Sequence, residues 1–215
     1  MKSRTVGLLV ALTLSAGYVD AVAFFGLGVF TANMTGNTVL LGGAIAARIL
    51  GKTHLPGGIG IALPLISIAA FVAGALVAAA VVRDEVKRPP LRSAALLAFV
   101  VALFAGVYAI YRVSPHALIT PAVALLSVAM GVQSVVALRA GVPGVSTTYV
   151  TGTLLTAVMD LEEAKRREPA EGRTNAAIWA CYLIGAAAGT LALYRLGANA
   201  FWVPAALVAL STLAL

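Results

Sequence analysis

Cysteine, histidine and acidic side chains are all scarce in this 215-residue chain, which has one cysteine, two histidines and eight aspartates and glutamates. A lone Cys181 excludes an internal disulfide and any site built from several thiolates. Lying in an apolar run, it reads as a small buried hydrophobe. His54 and His116 sit in loops with no second ligand type at metal spacing, so neither a metal nor another cofactor is expected. Enzyme signatures are missing too: no Gly-x-Ser-x-Gly, no His-Glu-x-x-His, no phosphate loop. The chain is therefore not expected to be an enzyme. Charge is the most telling shortage. Only 11% of residues are charged and 61% are hydrophobic, whereas a soluble domain has about 25% and roughly 45–50%. With a mean hydropathy of +0.99, the chain is expected to be an integral membrane protein whose main partner is the lipid bilayer.

The net charge of +7 does not point to nucleic acid. The basic residues stand in short clusters between apolar runs, where they carry topology information. Apolar runs long enough to cross a bilayer lie near 6–27, 59–82, 92–111, 117–138, 175–195 and 199–215. Ala21-Val-Ala23 imitates a signal-peptidase site, but Asp20 before it and the continuing apolar run predict a retained first span. With six crossings and an inner N-terminus, eleven of the Lys and Arg residues face inward and four outward. Eight crossings give nine against six. The positive-inside rule favours six, with both termini cytoplasmic in a bacterial inner membrane.

Two polar tracts interrupt the apolar pattern, Thr31-Ala-Asn-Met-Thr-Gly-Asn-Thr38 and Ser146-Thr-Thr-Tyr-Val-Thr-Gly-Thr153. Their Thr-Gly pairs, Thr35-Gly36 and Thr151-Gly152, are 116 residues apart. Ala94-Ala-Leu-Leu-Ala98 also matches Ala205-Ala-Leu-Val-Ala209, and Gly74 matches Gly189, at separations of 111 and 115. The predicted fold is all-α, a single membrane domain with one repeat over about 5–112 and a second over 117–215. Three crossings per repeat is an odd number, so the second copy is inverted, as in many secondary transporters. Each tract then opens a short re-entrant or broken helix, over 35–50 and 147–160. Helix N-termini carry partial positive charge and unpaired donors. Asn33, Thr35, Gly36, Asn37, Thr147, Thr148, Thr151 and Gly152 are thus candidate binding residues for a small anionic or polar solute. The bland alternative is that Thr and Asn only cap helices and Gly only turns the chain.

Asp20 is the sole acid of the first span and costly to bury. It reads either as a proton- or cation-coupling group or as a carboxyl hydrogen-bonded between helices. Its counterpart in the second copy is Gln133 or Ser134. Tyr18, two residues before Asp20, could donate to it. Arg139, closing the fourth span, reads as an interface anchor or a charge partner. Gly74 with Ala78, and Gly185 with Gly189, form small-residue faces suited to close helix contact, within the chain or in a homodimer.

Gly17-Tyr-Val-Asp-Ala21, Phe24-Phe-Gly-Leu-Gly28 and Phe30-Thr-Ala-Asn-Met-Thr-Gly-Asn37 resemble the opening of the YoaK-like family of small bacterial membrane proteins. Met130-Gly-Val-Gln133, Gly141-Val-Pro143 and Thr147-Thr-Tyr-Val-Thr-Gly-Thr153 resemble that family's second tract. The resemblance covers essentially the whole chain. It implies about six transmembrane helices in the cytoplasmic membrane and supplies no substrate. The resulting expectation is a transporter or channel, with a non-transporting scaffold or sensor, or a lipid-acting membrane enzyme, as alternatives.

Overall fold

The computed structural model describes residues 3–83, 91–113, 118–139, 150–163 and 170–212, and among these no strand occurs. The α-helices are α1 (Ser3–Leu27), α2 (Met34–Ile49), α3 (Ala62–Val81), α4 (Leu91–Val113), α5 (Ile119–Arg139), α6 (Val150–Glu163), α7 (Ala170–Leu196) and α8 (Trp202–Ser211). A short 3-10 turn, Gly197–Phe201, joins α7 to α8. Five stretches are long and apolar enough to cross a membrane: Thr5–Leu27, Ala62–Val81, Leu91–Val113, Ile119–Arg139 and Asn175–Ser211. The last contains most of α7, the turn and α8, a region for which the sequence predicts two spans. α2 and α6 have 16 and 14 residues. At ~1.5 Å per residue both fall short of a hydrocarbon core about 30 Å thick.

α1 and α5 form the centre. Of their most apolar windows 72% and 67% of residues are buried, against 22–33% for the other three stretches. Glycine sets how closely their neighbours approach. On α1 and α7, Gly17 lies against the Tyr182 carbonyl, Gly185 against that of Leu14 and Gly189 against that of Tyr18. On α3 and α5, Gly131 lies against the Phe71 carbonyl and Gly74 against that of Val128. A Cβ at any of these positions would enter the facing backbone. Such contacts matter in lipid, where helix association rests on van der Waals packing rather than on escape from water. Gly74, Gly185 and Gly189 are therefore spent on contacts within the chain, and Ala78 is buried as well.

Hydrogen bonds fix the relative direction of the helices. Gln133 Nε2 on α5 donates to the Leu12 carbonyl in the first half of α1 (2.9 Å). Past the end of α1, the Phe30 carbonyl accepts from Ser67 Oγ (2.7 Å), which lies 2.8 Å from Ser127 Oγ on α5. Advancing along α1 therefore means retreating along α5, so the two are antiparallel. Ser67 lies near the start of α3, so α3 begins on the side where α1 ends. The chain leaves and regains the same side through α2. Aromatic rings gather on that side: Tyr108 packs on Trp202 and Tyr111 on Phe201.

Candidate functional site

The first polar tract is a strap of backbone, residues 28–33, between α1 and α2. Gly28 at φ 81° turns it back, a conformation that costs a residue without Cβ little. Asp20 lies seven residues before the end of α1, a rise of ~10 Å. Its Oδ1 nevertheless accepts from the Thr31 and Ala32 amides (2.8 and 2.7 Å). The strap has thus descended about that far alongside α1 before α2 begins. Asp20 Oδ2 accepts from the Tyr182 hydroxyl on α7 (2.5 Å). Asp20 is 2% exposed, a position at which a carboxylate is tolerated only when both oxygens are bonded. Bonds to charged groups contribute about 1.5–3 kcal/mol each, and the three together act against the cost of burial.

The other side of the strap is held by the α3–α5 pair. Asn37 Oδ1 accepts from the Phe30 amide (3.0 Å), and its Nδ2 donates to the Phe30 carbonyl (2.7 Å) and to Ser67 Oγ (2.9 Å). Asn33 is the N-cap of α2, its side-chain oxygen accepting from the Gly36 amide (3.0 Å). Gly36 is where the Phe30 ring rests: a Cβ there would meet ring carbons at 2.6 and 2.7 Å. That ring also stacks on Phe24 with centroids 4.4 Å apart. Thr35 is exposed.

Of the residues marked in the sequence, then, Asp20, Asn33, Gly36 and Asn37 come together, and their polar atoms and close approaches serve the strap. In the second tract Thr151 is exposed and Gly152 half-buried at the start of α6, where the Gly152 carbonyl accepts from Thr156 Oγ1 (2.9 Å). Thr147 and Thr148 lie outside the described residues. Tyr18 is buried and donates to the Ala200 carbonyl (2.7 Å), so the phenol on Asp20 is that of Tyr182 rather than its near neighbour in sequence. The reason is geometric: residues two apart on a helix point in widely different directions. Gln133 and Ser134 are buried on α5. Among the described residues neither Gln133 Oε1 nor Ser134 Oγ has a partner, and the same holds for Ser15 Oγ and Thr31 Oγ1. Arg139 is exposed at the end of α5, as an interface anchor would be, and is not among the partners of Asp20.

Sequence reasoning missed Tyr182, Ser67, Ser127 and the two strap amides. Ser67 carried a signal, being the only polar side chain of α3. Tyr182 carried none, because only the α1–α7 crossing brings it to Asp20.

A bundle of apolar helices around a buried carboxylate that is paired with backbone amides and a phenol defines an all-helical membrane protein. Residues 8–214 match the family model described as "Protein of unknown function (DUF1275)", and the chain belongs to that family. It is 37% identical over 161 residues to the UPF0700 transmembrane protein YoaK of Bacillus subtilis (strain 168). The match covers 72% of this chain and 66% of that relative, just under two thirds of its length. No solved structure matches the chain significantly.

Proposed function

We propose that this protein is a small secondary transporter or channel for a small anionic or polar solute. It would be built as an inverted repeat of three crossings each, in a bacterial inner membrane with both termini cytoplasmic. The observation that carries this reading is the duplicate helix crossing. Adding 114 to α1 positions and 111 to α3 positions converts one set of contacts into the other. Gly17 on Tyr182 corresponds to Gly131 on Phe71, and Gly185 on Leu14 to Gly74 on Val128. Gly74 is thereby equivalent to Gly185, one turn from the Gly189 that the sequence alone suggests. The short helices repeat the plan, α2 packing on α3 and α6 on α7. The return of α2 to its side of origin supports six crossings over eight, in line with the eleven-to-four distribution of basic residues. Inverted repeats with broken helices are the architecture of many secondary transporters.

One observation favours the scaffold reading instead. In the first tract Asn33 and Asn37 are bonded to the protein's own backbone, as capping groups would be. Of the two uses open to the small-residue faces, contact within the chain or in a homodimer, the first has the support, because the glycines lie against carbonyls of the same chain.

Uptake into vesicles reconstituted with purified protein, against a panel of small anions, amino acids and cations, decides between the readings. Transport predicts saturable flux of at least one solute above protein-free vesicles. Absence of flux for every solute at either pH of an imposed gradient leaves the scaffold.

A further inference from the structure

Asp20 occupies a site that would suit a carboxylate of any origin. Two consecutive backbone amides, Thr31 and Ala32, converge on Oδ1, and the Tyr182 hydroxyl donates to Oδ2. Beside them the Thr31 hydroxyl is fully buried and has no partner among the described residues. Consecutive amides with a hydroxyl donor form the concavity that binds anions elsewhere in proteins. Here that concavity is filled by a side chain from α1. The strap it holds also touches both glycine-packed helix pairs, α1–α7 through Asp20 and Tyr182, and α3–α5 through Ser67 and Ser127.

We propose that the Thr31–Ala32 amides and the Tyr182 hydroxyl form a binding site for a small monocarboxylate, which Asp20 fills at rest and yields when it takes up a proton. This rests on the transport reading and names its substrate class. A neutral carboxyl loses the charge-assisted part of all three bonds. An incoming carboxylate restores it, and the Thr31 hydroxyl, buried next to the Thr31 amide and without a partner among the described residues, is a spare donor for an anion larger than the Asp20 carboxyl. The proton resides on Asp20 while the solute anion resides on the amides, so one proton and one anion cross together without net charge. Among the described residues no other acid or base is bonded to Asp20. The titratable group facing Asp20 is Tyr182 from α7; Tyr18, two residues back on α1, points elsewhere and is bonded to Ala200. Among the described residues the strap, the 3-10 turn and α8 contribute no charged side chain, and α5 has only Arg139, exposed at its far end. Every described arginine, lysine and histidine side chain is exposed, at a helix end or in a loop.

The test is chemical rescue. In Asp20→Ala, formate replaces the missing carboxylate, and thermal unfolding of the purified protein in detergent shifts up by roughly 3–6 °C at about tenfold its dissociation constant. Formamide, of the same size and neutral, gives no shift, and Tyr182→Phe added to Asp20→Ala weakens the formate effect about tenfold. Equal shifts with formate and formamide, or none with formate, overturn the site. Asp20→Asn provides the second arm if the alanine variant does not fold. Permanently uncharged, it takes up radiolabelled formate or acetate into vesicles at a rate independent of pH. The wild-type rate rises as external pH falls, by about tenfold per unit while Asp20 is mostly ionised. Wild-type pH dependence retained in Asp20→Asn overturns the proton step. Rescue by formate without flux in wild-type vesicles upholds the site and removes the transport reading. Flux of other solutes without formate rescue does the reverse.

Discussion

The α1–α7 and α3–α5 crossings are alike in backbone and unlike in chemistry. Each is built on glycines that lie against the facing carbonyls. At the positions of Asp20 and Tyr182 in the first crossing, the second has Ser134 and Phe71. Close approach is thus a requirement common to both pairs, because in lipid only packing holds such helices together. The buried acid belongs to one of them. In that pair the carboxylate ties the strap to α7 through the Thr31 and Ala32 amides and the Tyr182 hydroxyl.

The largest effect is expected where the crossings are alike. Gly17→Val and Gly131→Val each drive a side chain into a backbone carbonyl that cannot move aside, and each should cost at least about 3 kcal/mol. The check is thermal unfolding and monodispersity in detergent, and a loss confined to one of the two would break the equivalence. Next come the positions at which they differ. Asp20→Ala leaves two strap amides and a phenol without their acceptor and should destabilise by about 2–3 kcal/mol. Ser134→Ala removes a hydroxyl that has no partner among the described residues and should stay within about 1 kcal/mol. Denaturant titration of the pair would show whether the asymmetry is energetic as well as chemical. Tyr182→Phe deletes a single bond to a carboxylate and should cost about 1.5 kcal/mol, while Phe71→Tyr in the other pair gains nothing. The smallest effect is expected at the exposed start of α2, where Thr35→Ala should change stability by less than about 0.5 kcal/mol. A drop in solute flux for Thr35→Ala with stability unchanged would instead return Thr35 to the binding site.

Much of this was legible in the chain. The boundaries of α2 and α6 follow from the Thr-Gly tracts to within a few residues, because Asn33 is a good cap and the runs before and after are apolar. Asp20 was conspicuous for its cost of burial. Its partners were not, since two are backbone amides that any residue could supply and the third, Tyr182, is 162 positions away. Gly36 could be picked out by its pairing with Gly152, yet what approaches it is the ring of Phe30, which no spacing rule announces.

The sequence by itself determined that the protein lives in a membrane, which parts of it are long and apolar, and where polar backbone interrupts them. Those properties are local or additive: hydropathy, charge placement and caps are read one window at a time. Only the tertiary structure decided that α1 and α5 form the centre, which glycines lie against which carbonyls, and that the strap's amides are bonded to Asp20. These depend on which helix faces meet, and that is set by packing between segments far apart in the chain.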